Sequence, residues 1–470
     1  MKSHNYIYAL LITAATVGGC KVSKDMAVPK NVIPETFRGG TPTTDTTSIA
    51  NLKIKEFITE VEIQQLIDTA LTKNNDMQLA LKNIEASELL FKQSRLGNLP
   101  VLNLQVTANS SRPSDNSLNG LSASQFLNTS HIEDYNANLG LSWEADIWGK
   151  IKSQKQAALA AYLQTIEAKK AIQTRLIANV AQGYYQLLML DAQLAIARKN
   201  LALNDSTFKM IQLQFDAGQV TSLAIQQAEA QQLVAAQLIP LLEQNIILQE
   251  NALKVLIGRL PGAVERKATL GRTTIPANLS SGFPAQMVST RPDVRSAELS
   301  LSIANARVGI SKASMYPSLS ITASGGLNSF KASNWFNVPA SLFGIVGGGI
   351  TQPIFQRKQL RTQYEIATIE REKVVIQFRQ SVLQAVAEVS DELVKIEKLE
   401  NQYDIAAKRV GTLQQAVKNA NLLFSNGMAT YLEVITAQSN SLQSELELAA
   451  IKTARLSASV ELYRTLGGGI

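Results

Sequence analysis

The side chains that most often carry out chemistry in proteins are scarce in this 470-residue chain, which has one cysteine, Cys20, and two histidines, His4 and His131. A single cysteine cannot form a disulfide within the chain. The rest of the chain cannot supply a Cys/His metal cluster or a Cys–His or Ser–His pair, because His4 lies in the leader and His131 in a Ser- and Asn-rich segment. Catalysis by carboxylates alone stays formally open. The composition therefore favours a protein that is not an enzyme and holds no metal or cofactor.

Cys20 follows a segment that is typical of a secretion signal. A lysine at position 2 precedes an apolar stretch from Tyr6 to Val17, which is too short to span a bilayer. Residues 17–20, Val-Gly-Gly-Cys, resemble a bacterial lipobox, in which the cysteine is acylated and becomes the first residue of the mature protein. We expect a signal peptide at residues 1–19 and a lipid anchor on Cys20. The alternative is an ordinary signal peptide with an incidental cysteine.

The overall composition is that of a folded protein, with 45% hydrophobic and 18% charged residues. The formal net charge is +7, but the basic residues are spread along the chain without a dense Lys/Arg block. Nucleic-acid binding is therefore not expected. Beyond the leader no run of 18 apolar residues occurs, so a membrane would have to be crossed by β-structure.

The second half of the chain repeats the motif order of the first half. Leu99-Pro100 corresponds to Tyr316-Pro317, and the segment FDAGQVTSL at 215–223 corresponds to FSNGMATYL at 424–432. We predict two repeats, at 61–265 and 291–470. A linker at 266–290 separates them, and a lipid-anchored segment at 20–60 precedes them.

Each half contains two short segments in which apolar and polar residues alternate, as in strands with one apolar face. The predicted strands are 101–108, 136–144, 318–324 and the glycine-rich segment at about 342–351. Four strands are too few to close a barrel, whereas three chains would supply twelve.

The remainder of each half is predicted to be helical. A first helix (about 62–96 and about 293–314) ends before a proline, and the strands follow it. Next comes a stretch without proline, Trp148–Phe215 or Phe355–Phe424, and then a glycine-centred turn and another helix. Apolar residues recur about every 3.6 residues from Val374 to Phe424, which is the period of a helix seam. A helix of about 70 residues would reach roughly 100 Å, a length useful for crossing the periplasm and not for a globular core.

Four motifs in this order carry a resemblance to a known family. They are Arg291-Pro-Asp-Val-Arg-Ser-Ala-Glu298, Tyr316-Pro317, the segment from Trp143 to Lys150, and the two F-x-x-G-x-x-T/S-x-L turns. From about residue 60 to its end the chain resembles the TolC-like outer-membrane efflux proteins, in particular their lipoprotein branch, the OprM and NodT type.

This resemblance implies a mainly α fold with a small β part. Long coiled helices would form a periplasmic α-barrel, and four strands per chain would contribute to a twelve-stranded transmembrane β-barrel in a homotrimer. The implied function is the exit duct of an RND-type tripartite efflux pump, lipid-anchored in the outer membrane and extending into the periplasm. It would passively conduct drugs or other small molecules received from an inner-membrane transporter through a periplasmic adaptor, the membrane fusion protein.

The resemblance also implies a constriction just after the second glycine turn, where relatives carry acidic side chains. The matching residues are Glu433 and, one helical turn further, Thr436. The first half carries Ala224 and Gln227 at these places, so a trimer would have one ring of three carboxylates. Ala429 stands where some relatives have an arginine latch. The alternative for Glu433 is a solvated residue on a helix face.

Further residues are expected to shape the ends of helices. Gly218 and Gly427 fit positions of positive φ at a helix end, and their turns would meet the adaptor, although turn chemistry alone also explains them. The expected adaptor-contacting residues are Phe215, Gly218, Thr221, Phe424, Gly427 and Thr430. The signature residues Arg291, Pro292 and Asp293 are expected to brace and cap a helix start rather than touch cargo.

Two other functions stay open at this point. An exit duct for type I protein or peptide secretion would share the architecture, although the lipobox favours efflux. A periplasmic coiled-coil adaptor or scaffold lipoprotein would share the lipobox and long helices. Such an adaptor or scaffold is not expected to have two similar halves that each contain a pair of alternating strands, as this chain does.

Overall fold

The computed structural model describes residues 22–29, 34, 36–38, 48–274, 281–282 and 284–469. Cys20 and the predicted signal peptide lie outside these residues. The described chain forms two compact units. The first contains residues up to 29, 85–163 and 298–376 and holds all the strands described below; the second contains the described residues among 30–84, 164–297 and 377–470.

Helices dominate the described residues. The main helices are α1 (Val61–Lys73), α2 (Asn75–Arg95), α3 (Lys150–Asp216), α4 (Ser222–Leu256), α5 (Pro284–Thr290), α6 (Pro292–Ala313), α7 (Gln359–Ser425) and α8 (Tyr431–Thr465). The strands are β1 (Val101–Ser111), β2 (Ile132–Ala145), β3 (Ser318–Ser329) and β4 (Leu342–Thr351). Helices α3 and α7 each have 67 residues, and α4 and α8 each have 35. None of the helices in the described part is both long and apolar enough to cross a membrane.

Glycine ends each of the two longest helices. Gly218 and Gly427 both have φ of 72°, which confirms the predicted positive φ. The Gly218 N–H donates to the Phe215 carbonyl (2.8 Å), and the Gln219 N–H donates to the Gln214 carbonyl (2.8 Å). This pair of bonds is the Schellman arrangement, which satisfies carbonyls that the helix end would leave free.

The four strands form one antiparallel sheet in the order β1-β2-β3-β4. Its register places Leu104 opposite Leu139, Leu139 opposite Gly325, and Gly325 opposite Gly344. Because side chains alternate along a strand, the predicted apolar sets of neighbouring strands share one face of the sheet. Strands β1 and β4 are its edges.

Several predicted boundaries were wrong. Strands β1 and β3 continue past their predicted ends at 108 and 324, to Ser111 and Ser329. The helix predicted at about 62–96 breaks at Asn74, whose side-chain amide donates to the Leu256 carbonyl (2.9 Å) and whose Oδ1 accepts the Met77 N–H (3.0 Å). Asn74 thus ends α1 and caps α2. Strand β2 starts at Ile132 rather than at 136, because β1 continues to Ser111 and pairs with these extra residues.

The main hydrophobic core lies in the second unit. Tyr184 and Leu187 on α3 are fully buried in it, together with residues of α1, α4, α7 and α8. Phe57 stacks on Tyr463, with ring centroids 4.3 Å apart and nearly parallel planes. Burial of these rings fixes the last turns of α8.

Candidate functional site

One face of the sheet is apolar and open. The side chain of Leu104 on β1 is 71% exposed, and those of Val346 and Ile350 on β4 are 82% and 74% exposed. Leu139 on β2, which lies opposite Leu104, is also exposed. Contiguous apolar surface of this kind is unfavourable in water and marks a surface that another apolar phase or chain covers.

The opposite face of the sheet is mostly polar on β1, β2 and β3. Gln105 lies opposite Asn138 and Thr107 opposite Asn136, and the Asn138 amide donates to Asn136 Oδ1 (2.6 Å). Its neutral polar residues are Asn103, Gln105, Thr107, Asn109, Asn136, Asn138, Ser142, Ser320, Thr322, Ser324 and Asn328. The register also places Asp134, Glu144, Val101, Phe343 and Ile345 on this face. Amides and hydroxyls of this kind line water-filled passages. The sheet therefore has one polar face, which suits contact with water, and one apolar face.

The end of β2 is held by aromatic stacking and by a helix cap. Trp148 stacks on Tyr316 with ring centroids 4.8 Å apart, and its indole N–H donates to the Pro317 carbonyl (2.7 Å). The carboxylate of Asp146 accepts the backbone N–H groups of Ile151 and Lys152, both at 2.9 Å, and so caps the start of α3. The Trp143–Lys150 motif and the Tyr-Pro motif thus join strand and helix.

The two glycine turns meet around a small apolar cluster. Its buried members are Ile211, Ala224, Ala228, Phe424 and Val434. The Phe424 side chain is 4% exposed, whereas that of Phe215, its counterpart in the first turn, is 39% exposed. Only Phe215 therefore presents its ring at the surface of the chain. Thr221 and Thr430 occupy the N-cap positions of α4 and α8 and are exposed.

A hydrogen bond joins the starts of α4 and α8. The Tyr431 hydroxyl donates to Gln227 Oε1 at 2.6 Å. Sequence analysis placed Gln227 in the first turn region but did not identify this partner. The residues are 204 positions apart, so only the folded chain brings them together.

Glu433 is exposed and bonded to its own helix start. Its Oε2 accepts the Thr430 backbone N–H at 2.5 Å, the contact that a Thr-x-x-Glu segment makes at a helix N-terminus. The Thr-x-x-Glu spacing is present in the sequence, but the sequence analysis did not identify this helix-capping contact from it. Thr436 is also exposed, and its hydroxyl donates to the Leu432 carbonyl (2.7 Å).

The signature residues are structural in the folded chain. Arg291 is 3% exposed, and its guanidinium donates to both carboxylate oxygens of Asp293, at 2.9 and 2.6 Å. It also donates to Glu388 on α7 (2.8 Å) and to the Thr465 carbonyl at the end of α8 (3.1 Å). Pro292 is the first residue of α6, where a missing N–H costs nothing. Arg291 therefore joins three helices.

Charge pairing sets the ionisation of this cluster. Burial alone disfavours a charged guanidinium, but the bonds from Asp293 and Glu388 outweigh it and raise the pKa of Arg291. Burial likewise disfavours the Asp293 carboxylate, yet the bond and charge of Arg291 prevail, and the pKa of Asp293 is lowered. Both groups are charged at neutral pH.

A second ion cluster, which is only partly buried, was not predicted from the sequence. Arg266 donates to Asp191 on α3 (2.6 Å) and to Glu250 on α4 (2.5 Å), and Glu250 also accepts the Val264 N–H (3.1 Å). These bonds hold the chain after α4 against both helices. No local spacing relates residues so far apart, so no sequence signal pointed to the cluster.

Within the described residues, no three His, Cys, Asp or Glu side chains lie close enough together to hold a metal ion.

Known proteins share this chain's sequence and architecture. A model of the family described as "Outer membrane efflux protein" matches residues 66–259 and 284–468. The toluene efflux pump outer membrane protein TtgI of Pseudomonas putida is 29% identical over 471 residues, which cover 98% of this chain and 97% of TtgI. The cation efflux system protein CusC of Escherichia coli K12 is 27% identical, with 97% and 98% covered.

A solved structure shows the same architecture. The open state of the MtrE outer membrane channel of Neisseria gonorrhoeae has a TM-score of 0.84 and 25% identity, with 96% of this chain and 98% of MtrE covered.

Proposed function

Because this chain belongs to the outer membrane efflux protein family, it is an outer-membrane exit duct for efflux, and we propose that it works as a homotrimer anchored by a lipid on Cys20. The family consists of channels, which argues against an enzyme and against the periplasmic adaptor alternative. Membership also implies the partners of a tripartite pump, an inner-membrane transporter and a periplasmic adaptor. The relatives compared above are named for efflux, which favours efflux over protein secretion.

The observation that carries the trimer is the open sheet. Strands β1 and β4 are edges of 11 and 10 residues, and they present unpaired backbone groups beside exposed apolar side chains. Long apolar edges of this kind pair readily with another chain. We infer that β1 of each copy pairs with β4 of the next, so that three copies close a twelve-stranded barrel.

Closure in this way would turn the apolar face of the sheet to lipid and its polar face to the passage. The face lined by amides and hydroxyls has few charges, which suits a passage for small molecules of varied chemistry. The relatives are named for toluene and for cations, so the same architecture serves different cargo. We infer that the duct itself selects cargo weakly.

The helical part would be an α-barrel built from an internal two-fold repeat. Support comes from the equal lengths of α3 and α7 and of α4 and α8, and from the family model's two separate matched segments. We propose that the two glycine turns meet the adaptor, with Phe215 as the exposed aromatic contact. Glu433 from three copies would form the charged ring of the constriction, with Thr436 one turn beyond it.

The trimer and its strand order can be tested together. The test uses chains with two introduced cysteines, one replacing Gln105 on β1 and the other placed in turn along β4. After oxidation these chains should give disulfide-linked dimers and trimers on a denaturing gel. Asn138 lies in the same row of the sheet but on the interior strand β2, so Asn138→Cys with the same β4 set should give none. The parent, whose only cysteine is Cys20, gives the background.

Native mass spectrometry of the detergent-extracted protein should show three chains. A stable mass of one or two chains, or equal cross-linking from Gln105→Cys and Asn138→Cys, would overturn the proposal.

A further inference from the structure

The end of the sheet that adjoins the helices carries a strong excess of positive charge. Strands β1 and β3 begin at this end and β2 and β4 finish there, because neighbouring strands are antiparallel. The ten residues next to each strand at this end are 91–100, 146–155, 308–317 and 352–361, and together they contain nine basic residues and one acidic residue. The connections at the other end, 112–131 and 330–341, contain two basic residues and one acidic residue. Positive charge is therefore concentrated on the helix side of the sheet.

Most of these basic side chains are exposed and unpaired. Three of the nine form ion pairs with glutamates. Five others are exposed and make no ion pair with any residue that the structure describes, and we call them the basic rim: Arg95, Lys152, Lys155, Arg357 and Lys358. Charges grouped in this way attract an anionic partner from outside the chain.

Two residues of the basic rim have a strained backbone. Arg357 and Lys358 have φ of 49° and 63°, in the left-handed region that glycine adopts freely and longer side chains disfavour. The residue in front of α3 is Gly149, with φ of 72°, whereas the residue in front of α7 is Lys358. Neither basic side chain makes a hydrogen bond or ion pair within the described part of the chain, so no such contact offsets the strain. Strain of this kind is typical of residues that serve a function.

Apolar side chains separate the basic rim from the sheet along the chain. Ile354 and Phe355 lie between β4 and Arg357, and their side chains are 92% and 86% exposed. Trp143 lies on the apolar face near the same end of the sheet, and its indole N–H donates to the Asn98 carbonyl (2.8 Å). An apolar surface bordered by tryptophan and then by lysine and arginine is typical of a membrane boundary, where the basic groups reach the headgroups.

We propose that the basic rim binds the phosphate groups of anionic phospholipid in the leaflet nearest the helices. The surface is continuous with the apolar face of the sheet, so one lipid can place its acyl chains on that face and its headgroup on the rim. Anionic headgroups complement the unpaired positive charges. The inference rests on the proposed position of the sheet in the outer membrane, and it adds a preference for one class of lipid.

Tryptophan fluorescence can report which lipid lies at the rim. The chain has three tryptophans, and Trp335→Phe leaves Trp143 and Trp148, which lie on the helix side. The full-length protein is placed in phosphatidylcholine vesicles that contain a small fraction of brominated lipid, which quenches nearby tryptophans. Brominated phosphatidylglycerol should quench at about fivefold lower mole fraction than brominated phosphatidylcholine. Salt at about 0.5 M should reduce this preference, because it screens exposed charges.

Glycine variants remove the charge without straining the fold. Arg357→Gly with Lys358→Gly, in the Trp335→Phe protein, should lower the preference for phosphatidylglycerol at least threefold, by the order of magnitude expected for two surface charges. Thermal stability should be retained, since glycine adopts these φ values freely.

The matched control removes two exposed basic residues away from the rim. Arg112→Gln with Lys408→Gln changes one residue beyond the other end of β1 and one far along α7, and it should leave the preference intact. A thermal unfolding curve for each protein confirms that it is folded.

Three results would overturn the lipid site. Equal quenching by the two brominated lipids shows that the rim does not select anionic headgroups. A preference that survives the double glycine change places the lipid contact elsewhere. Loss of the trimer mass in the double glycine protein makes the rim a contact between copies. Quenching by neither lipid is a different outcome, because it removes the sheet from the bilayer and overturns the proposed function as well.

Discussion

Arg291 and Asp293 form a two-bond ion pair across a single intervening proline. Nε donates to Oδ1 at 2.9 Å and Nη2 donates to Oδ2 at 2.6 Å, so the planar groups meet side by side. Pro292 between them begins α6 with its φ already suited to a helix. The signature residues thus begin helix α6 and, through the hydrogen bond from Arg291, connect it to Glu388 on α7.

Loss of the Arg291 guanidinium should destabilise the fold strongly. Arg291→Met leaves Asp293 and Glu388 without their partner, and because their side chains are 49% and 29% exposed the cost should be about 2 kcal/mol, below that of a fully buried pair. The free energy of unfolding should fall by this amount in a denaturant titration of the extracted protein. Arg379→Met, an exposed arginine of α7, should change it by less than about 0.5 kcal/mol. Equal effects of the two variants would contradict the bracing role.

Acid should weaken the same cluster through Asp293. The pKa of Asp293 is lower in the folded chain than its ordinary value of 3.8, because Arg291 stabilises the carboxylate. This stabilisation is present in full above that value and is lost as the pH falls through it toward the folded pKa. Thermal unfolding curves recorded at pH values from 6 to 2 should show this loss of stability.

Asp293→Asn is the matched variant for the acid experiment. It should be less stable than the parent at pH 6, and the difference should narrow as the pH approaches 2. A constant difference over this range would show that Asp293 ionisation contributes nothing.

Glu433 should control divalent block if three copies of it ring the passage. In planar bilayers the channel should prefer cations, and divalent cations added on the periplasmic side should block it. Glu433→Gln should weaken the block while stability is retained, because glutamine can still accept the Thr430 N–H.

Glu447→Gln is the control for the constriction. Glu447 lies on the same helix and is already paired with Arg409 at 2.5 Å, so its change should leave the block intact. An unaltered block in Glu433→Gln would place Glu433 on a solvated outer face.

Acylation of Cys20 should be visible in the intact mass. The mature wild-type protein should begin at Cys20 and carry the mass of its acyl chains, and Cys20→Ser should lack that mass. The measurement is intact-protein mass spectrometry of the membrane fraction. Unacylated wild-type protein would show that the signal peptide is an ordinary one.

Local patterns were sufficient to predict the strands, the long helices and the glycine turns, because each depends on nearby residues. The glycine-rich segment predicted as a strand at about 342–351 was found as β4 at Leu342–Thr351. The break at Asn74 was not predicted because its partner, Leu256, is 182 residues away. Phe215 and Phe424 looked equivalent in their motifs, yet only Phe424 is buried, since long-range packing decides burial.

The site was predicted less completely for the same reason. Arg291 and Asp293 were expected to brace a helix start, and the structure adds the contacts to α7 and α8. Glu433 could have been identified as a helix-capping residue from the Thr-x-x-Glu spacing alone.

The proposed pairing of edge β1 with edge β4 of the next copy also has a genetic consequence. If each copy must accept a neighbour on both edges, one faulty β1 leaves a whole ring open, whatever the quality of the other two chains. In a cell that expresses equal amounts of an edge mutant and the normal chain, random mixing gives only about one intact trimer in eight. Edge mutations in this protein should therefore be dominant, whereas mutations that prevent a chain from folding at all should be recessive.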